Sequence, residues 1–135
     1  NEVISQKNDI ESNLNQFKFR EALKSLINIA RIGNKFLADT EPWKIKNENP
    51  ERVEQILKTS FEIVSYLAVL SEPFIPFTSK KLKKMIGLNK SDWSNLDNLG
   101  REINFNYTIT NKEMLFRRIE DSEIEFQISK LKNHI

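Results

Sequence analysis

Cysteine is absent from the 135-residue sequence, which contains only 3 glycines, 4 prolines and 1 histidine. Without thiols the chain can form neither a disulfide framework nor a thiolate metal site. Three scattered glycines cannot build a glycine-rich phosphate loop. The single histidine, His134, lies next to the C-terminus, so a histidine-based triad or metal cluster is not expected. We therefore expect no catalytic centre, no metal site and no bound cofactor in this chain.

Long apolar runs are also missing. The longest, from Ile63 to Leu70, is interrupted by polar side chains and is too short to cross a bilayer. The chain opens with neither Met nor an apolar leader, which predicts a segment of a longer protein without a signal peptide. We expect no membrane association, and the lack of cysteine is consistent with a cytoplasmic location.

The remaining composition is that of an ordinary globular domain, with 39% hydrophobic and 30% charged residues and a net charge of +2. This net charge is too small to indicate nucleic-acid binding by itself. The lysines are unevenly distributed, however, since Lys80, Lys81, Lys83 and Lys84 occupy four of five consecutive positions. A solvated helix face is the ordinary interpretation. The run becomes a candidate for phosphate contact only if another feature indicates RNA.

Apolar residues at helical spacing predict two helices in the first part of the chain. The first covers about residues 2–15 and continues its apolar positions to Phe17. The second runs from Phe19 to Thr40, where the following Glu41-Pro42 ends it. Its apolar stripe includes Gly33, which predicts a close approach to another helix rather than a helix end, and consists of Phe19, Ala22, Leu23, Leu26, Ala30, Gly33 and Leu37.

Two further helices are predicted in the middle of the chain. Asn49-Pro50-Glu51 combines a capping residue, a first-turn proline and an acidic group at the positive end of the helix dipole. The helix that follows, as far as Leu70, is apolar on two sides, which predicts a central position in a bundle. A short helix over about residues 78–86 is then closed by Gly87.

The last third of the sequence has a different pattern. Ile103, Phe105, Tyr107 and Ile109 alternate with polar residues, and because no partner strand is evident we predict an extended arm over about residues 98–118. Ser122 and Glu125 have the spacing of a capping box and predict a terminal helix whose apolar face contains Ile124, Ile128, Leu131 and Ile135. The sequence thus predicts one all-α domain over residues 1–135. An antiparallel helix bundle forms its core over about 1–88, and the arm and terminal helix follow over about 89–135.

One segment is more specific than these patterns. From Asn34 to Trp43 the sequence is Asn-Lys-Phe-Leu-Ala-Asp-Thr-Glu-Pro-Trp. It resembles the anticodon-binding domain of methionyl-tRNA synthetases. In that family the segment begins with Asn, then Lys or Arg, then Tyr, and it ends with Pro-Trp. Here Phe36 replaces the Tyr. Three other segments are similar to the family, so the resemblance covers nearly the whole chain: Phe-x-x-Ala-Leu at 19–23, Pro-Phe-Ile-Pro at 73–76 and Leu-Phe-x-x-Ile-Glu at 115–120.

The resemblance implies the class Ia synthetase bundle and recognition of the anticodon stem-loop of tRNA. In the family this tryptophan lies against the first anticodon base, and an indole beside a rigid proline offers a flat face to an unstacked base. Trp43 is therefore the first candidate, and its structural alternative is to plug the end of the bundle. The other candidates are expected to contact phosphate or, for the asparagine, to support the tryptophan loop: Arg31, Asn34, Lys35, Lys44 and Lys46.

A longer parent protein is also implied. The parent would be a methionine–tRNA ligase of protein biosynthesis, whose catalytic domain uses ATP with Mg²⁺, with Zn²⁺ as a second candidate. That catalytic domain would be a partner on the same polypeptide, because the His-Ile-Gly-His and Lys-Met-Ser-Lys-Ser types of signature are absent from this sequence. The family also reads anticodon bases with an Asn and an Arg on an earlier helix. Since this chain begins after that helix, we expect the stacking half of the site and little of the base-reading half.

Two alternatives stay open on the sequence alone. The first is the equivalent domain of another class I synthetase, of the valine, isoleucine or leucine type, although the Leu-Phe-x-x-Ile-Glu segment favours methionine. The second is a helical protein-interaction module that binds no RNA and uses Trp43, Trp93 and Phe105 for packing or docking.

Overall fold

The computed structural model describes residues 2–88, 90–109 and 112–132, and all regular secondary structure in these ranges is helical. The elements are α1 (Glu2–Asn15), α2 (Phe19–Thr40), α3 (Pro42–Ile45), α4 (Pro50–Leu70), α5 (Pro76–Met85), a 3₁₀ helix (Trp93–Asn98), α6 (Leu99–Glu102) and α7 (Asp121–Lys132). The predicted all-α class is confirmed. The sequence predictions for His134 and Ile135 fall outside the described residues.

The core forms where α1, α2 and α4 meet. α1 and α2 are joined by only three residues and pack against each other, and α2 also packs against α4. One buried apolar cluster connects all three helices, and burying each of its large side chains contributes about 1.5–3 kcal/mol. Its members on these helices are Ile10, Ala22, Leu26, Ile29, Ile63, Ala68, Val69 and Leu70.

Three residues assigned to the apolar stripes of the first two helices lie at the surface instead, as do Ile124, Ile128 and Leu131 of the face predicted for the terminal helix. Phe17 adopts a left-handed φ of 58° in the α1–α2 turn and is 80% exposed, because the chain reversal directs its ring away from the hairpin. Phe19, whose ring meets that of Phe17 edge-on at 6.3 Å, and Leu23 are also exposed. The face of α2 that packs inward is centred on Ala22, Leu26 and Ile29, so the predicted stripe was too wide.

The prediction for Gly33 is confirmed. A Cβ added to Gly33 would lie 3.0 Å from Cγ2 of Ile63 on α4, which is tighter than ordinary van der Waals contact. The glycine therefore lets α2 and α4 approach closely, and α2 continues past it to Thr40.

The predicted start of α4 is also confirmed. The side chain of Asn49 accepts a hydrogen bond from the backbone N–H of Arg52 at 3.0 Å, and Pro50 occupies the first turn. Capping of this kind satisfies a donor that the helix itself leaves unpaired. α5 begins at Pro76, two residues earlier than predicted, because a proline is well suited to a first helical turn. Gly87 ends this segment with a φ of 78°.

The region after α5 is only partly as predicted. Leu96, Leu99 and Ile103 join the buried cluster, and residues 99–102 form the short helix α6 instead of the first part of an extended arm. The remainder of the arm is irregular in the described part. It lies against α4 at one point, where the ring of Phe105 is 6.2 Å from that of Phe61. The boundary near residue 88 between core and arm stays a prediction.

The predicted capping box of the terminal helix is wrong. α7 begins at Asp121, which places Ser122 inside the helix. The carboxylate that reaches back is that of Glu123, which accepts the backbone N–H of Glu120 at 3.1 Å. A glutamate at the third helical position satisfies an otherwise unpaired N–H at the start of the helix, and this hydrogen bond fixes Asp121 as the first residue of α7.

Arg117 of the arm binds the same glutamate through two hydrogen bonds. Its Nη1 and Nη2 donate to Oε2 and Oε1 of Glu123 at 2.5 and 2.6 Å. The Arg117 guanidinium, together with the Glu120 N–H, lowers the pKa of the Glu123 carboxyl from 4.5 to about 2. The pair thus joins the arm to the start of α7.

This lowered pKa predicts an acid transition in the C-terminal segment. Because the pKa is lower in the folded state, the pair stabilises this segment above pH 4.5 and loses that contribution as the pH falls towards about 2. In an NMR titration the Glu123 carboxyl carbon should have its midpoint near pH 2. Arg117→Gln should return the midpoint towards 4.5. A wild-type midpoint already at the ordinary value would show that the pair does not form in solution.

None of the helices in the described part of the chain combines the length and the apolar composition that a membrane span requires.

Candidate nucleic-acid interface

The junction between α2 and α3 is a sharp change of direction. Glu41 adopts left-handed backbone angles, φ 39° and ψ 56°, and its N–H donates to the Leu37 carbonyl at 3.0 Å, which closes α2. Pro42 follows and is buried at the start of α3. The sequence predicted correctly that α2 ends here. It did not predict α3, although a proline that cannot continue one helix is favourable in the first turn of the next.

Trp43 is the second residue of α3 and is 57% exposed. Its neighbour Pro42 is turned into the protein, so the buried ring of the proline holds the turn that presents the indole. The interpretation of Trp43 as a plug for the end of the bundle is therefore wrong. A ring with more than half of its surface open can bind a flat partner.

Two of the predicted cations lie beside Trp43. The Lys44 ammonium is 2.8 Å from Oε1 of Glu41, in an exposed ion pair that reduces its charge towards the surroundings. Lys46, at the C-terminal cap of α3, is exposed and has no ion-pair partner among the residues that the structure describes. The backbone of this turn is held by Asn49, whose N–H donates to the Ile45 carbonyl at 2.9 Å. Of the two lysines, Lys46 is the better placed to attract an anion.

The other two predicted cations line a groove between α1 and α2. Arg31 and Lys35 lie one helical turn apart, and the open groove beside them has a volume of about 520 Å³. Nη1 of Arg31 donates to Oδ1 of Asn28 at 3.0 Å, and Nδ2 of Asn28 donates to Oε1 of Gln6 at 3.4 Å. The predicted cations thus form two groups, one at α3 and one in this groove.

Asn34 lies between Arg31 and Lys35 in sequence and is exposed on α2. Within the described ranges, its amide makes no hydrogen bond, so no such bond fixes the tryptophan loop. Its donor and acceptor are available to a ligand.

Sequence reasoning missed the residues that complete each group. The groove of Arg31 and Lys35 also contains Asp39, whose carboxylate opposes their charge, and the ring of Phe36. At α3, Glu41 pairs with Lys44, and the three-residue spacing of these opposite charges was a usable signal. Asp39 follows Lys35 by four residues and carried the same kind of signal. Across the described residues there is no cluster of three or more histidine or carboxylate side chains that could hold a metal ion.

Comparison with known proteins identifies the family. A family model described as the anticodon binding domain of methionyl tRNA ligase matches residues 1–133. The chain belongs to this family. It is 47% identical over 124 residues to the methionine–tRNA ligase of Cytophaga hutchinsonii, a match that includes 92% of this chain and 18% of that protein.

Other methionine–tRNA ligases give similar results. The Bacteroides fragilis enzyme is 46% identical over 127 residues, covering 93% of this chain and 18% of the relative. The Porphyromonas gingivalis enzyme is 43% identical over 133 residues, covering 98% of this chain and 19% of the relative. This chain therefore spans about a fifth of the length of the curated relatives that it matches. No solved structure matches the chain.

Membership of this family decides between the synthetase types left open by the sequence, because both the family model and the relatives are of the methionine type. The resemblance suggested by the Asn34–Trp43 segment is confirmed. The roles of the individual site residues stay predictions.

Proposed function

We propose that this anticodon-binding domain recognises the anticodon stem-loop of methionine tRNA and that Trp43 stacks on the first anticodon base. The observation that carries the proposal is the exposed indole, 57% open, on the turn that buried Pro42 begins. Unpaired RNA bases bind proteins by stacking on such flat faces, with about 1–3 kcal/mol for each base.

The surrounding cations support this placement. Lys46 lies three residues after Trp43 and has no ion-pair partner in the described part of the chain, so its charge is available to a nearby phosphate. Lys44 would first have to leave Glu41 and is the weaker contact. In the groove, Arg31 and Lys35 are weaker phosphate contacts, because the carboxylates of Glu2 and Asp39 lie in the same lining. Asn34 can donate to or accept from a base or phosphate.

We further propose that catalysis is carried out by another domain of a longer protein that contains this chain. The relatives are about five times as long as this chain and are named methionine–tRNA ligases. We propose a parent of this kind, with an ATP- and Mg²⁺-dependent catalytic domain, Zn²⁺ as a further candidate, and a cytoplasmic location. The arm and α7 expose apolar side chains that this domain would cover in the parent: Met114, Phe116, Ile119, Ile124, Ile128 and Leu131.

Fluorescence quenching tests the contact directly. Trp93 packs against the core and would add background, so the experiment uses Trp93→Phe, in which Trp43 is the only indole. Stacking predicts that a methionine anticodon stem-loop quenches Trp43 at both low and high salt, because stacking does not depend on counterion release. A stem-loop with a scrambled anticodon should quench less.

The matched control is Trp43→Phe, which keeps Trp93 as the only indole. Its emission should not respond to either stem-loop. The competing hypothesis, a helical protein-interaction module, predicts no anticodon-dependent quenching in any variant. That result with Trp93→Phe would refute the proposed function.

A further inference from the structure

The lysine run singled out in the sequence forms one outward face of α5. Three of these lysines follow Phe77 by three, four and seven residues, and this spacing places all four side chains on the same side of a helix. The three lysines are Lys80, Lys81 and Lys84. We call Phe77 and these three lysines the α5 patch. All four are exposed, and the ring of Phe77 is 84% exposed, more than that of Trp43.

The fourth lysine of the run has a different role. Lys83 is buried, with its Nζ 3.2 Å from both Oε2 of Glu72 and the carbonyl oxygen of Ser91. On the same inner side, Oγ of Ser79 donates to the Ala68 carbonyl at 2.6 Å. These bonds attach α5 to the end of α4 and to the segment before the 3₁₀ helix. The α5 patch is therefore presented by a firmly held helix.

The patch has an excess of positive charge. An open groove of about 570 Å³ beside it has one carboxylate, that of Glu72, in its lining, and this group is paired with Lys83. Lys81 makes a long ion pair with Glu113, at 3.9 Å. Lys80 and Lys84 have no carboxylate within 4.0 Å among the residues that the structure describes. Two exposed ammonium groups, one turn apart, thus remain available for anions.

We infer that the α5 patch is a second RNA-binding surface, which holds backbone phosphates of the bound tRNA outside the anticodon. Lys80 and Lys84 bind the phosphates, Lys81 adds to the field, and the ring of Phe77 packs on a ribose or an unpaired base. The inference rests on the proposed function, since it takes the same tRNA as its ligand. An exposed aromatic ring among exposed lysines fits RNA better than it fits an apolar protein surface, because docking on such a surface would desolvate the ammonium groups.

The patch is separate from the tryptophan site. α3 is joined to the start of α4 by four residues, whereas α5 follows the end of α4. With 21 residues in α4, the two sites are about 30 Å apart along the helix axis. A single ligand that contacts both the tryptophan site and the α5 patch must be larger than an anticodon loop. A whole tRNA is large enough.

The experiment compares the affinity of the chain for two tRNA transcripts, one with the methionine anticodon and one with a scrambled anticodon, over a range of salt concentrations. Lys80→Gln/Lys84→Gln removes two phosphate contacts, so binding of both transcripts should weaken by about tenfold at low salt. The slope of log affinity against log salt is negative, and its magnitude should decrease by about 1.4–1.8. Phe77→Ser should weaken binding without changing this slope, because it removes no charge.

The matched control is Lys130→Gln/Lys132→Gln, which removes two charges from exposed positions of α7. It should leave the salt slope close to the wild-type value. If the α5 variant behaves like this control while Trp43→Ala loses anticodon discrimination, the inference is refuted and the proposed function is retained; docking of another protein domain at the patch would give this result. If the wild-type chain binds neither transcript, both are refuted.

Discussion

Trp43→Ala is expected to lower the affinity of the chain for a methionine anticodon stem-loop by about 5- to 150-fold. This range corresponds to the loss of one stacked base, about 1–3 kcal/mol. The ring is more than half exposed, so its removal leaves little space in the core and should not unfold the domain. Fluorescence anisotropy of a labelled stem-loop measures the affinity, and circular dichroism melting checks the fold.

Two control variants make this result specific to the position and to the flat ring. Trp43→Phe keeps an aromatic face and should lose less affinity than Trp43→Ala. Phe17→Ala removes an exposed ring from the α1–α2 turn and should not change binding. In a full-length ligase, Trp43→Ala should raise the KM for tRNA. Unchanged affinity in a folded Trp43→Ala variant would contradict the proposal.

Gly87→Ala is expected to destabilise the domain by about 2–5 kcal/mol. Gly87 has a φ of 78°, in the left-handed region, which costs a residue with a Cβ about 1–2 kcal/mol. An added Cβ would also lie 2.8 Å from Cδ2 of Tyr107, which lies in the arm. Relieving that overlap by moving the ring and the arm costs about 1–3 kcal/mol more. Urea unfolding measures the free energy of unfolding.

The two costs at Gly87 can be separated. In Gly87→Ala/Tyr107→Ala the ring is gone, so the double variant should lose less stability than the sum of the two single variants. Gly100→Ala is the control glycine, because its added Cβ would approach only Oε1 of Glu62, at 4.0 Å, inside a helix. It should be neutral or slightly stabilising. An equal effect of Gly87→Ala and Gly100→Ala would contradict both the strain at Gly87 and its close contact with Tyr107.

Much of the helical framework could be predicted because its signals are local. The bounds of α1 and α2, the cap at Asn49 and the end of the α5 segment at Gly87 each depend on a few neighbouring residues. The close approach at Gly33 followed from its place in an apolar stripe. Predictions failed where two local signals competed. At the start of α7, the capping carboxylate of Glu123 outweighed that of the predicted Ser122–Glu125 box.

The candidate site residues stay sequence predictions, and only the structure shows how they are arranged. The segment from Asn34 to Trp43 identified the family and the tryptophan from residue types and their spacing. The split of the cations into a group at α3 and a group in the α1–α2 groove was not visible in the sequence. It depends on which side chains of α1 lie opposite α2, such as Gln6 opposite Asn28, and these residues are 22 positions apart.

By itself, the sequence determined the helical class, the ends of the three long helices α1, α2 and α4, and the family of this domain, because each follows from the order of neighbouring residues along the chain. Only the tertiary structure decided that Trp43 is open, that Phe17 and Leu23 are not in the core, and that Lys83 turns inward while Lys80 and Lys84 stay exposed. Exposure is set by contacts between helices that are distant in sequence. A periodic pattern shows which residues share a face, and packing decides whether another helix covers it.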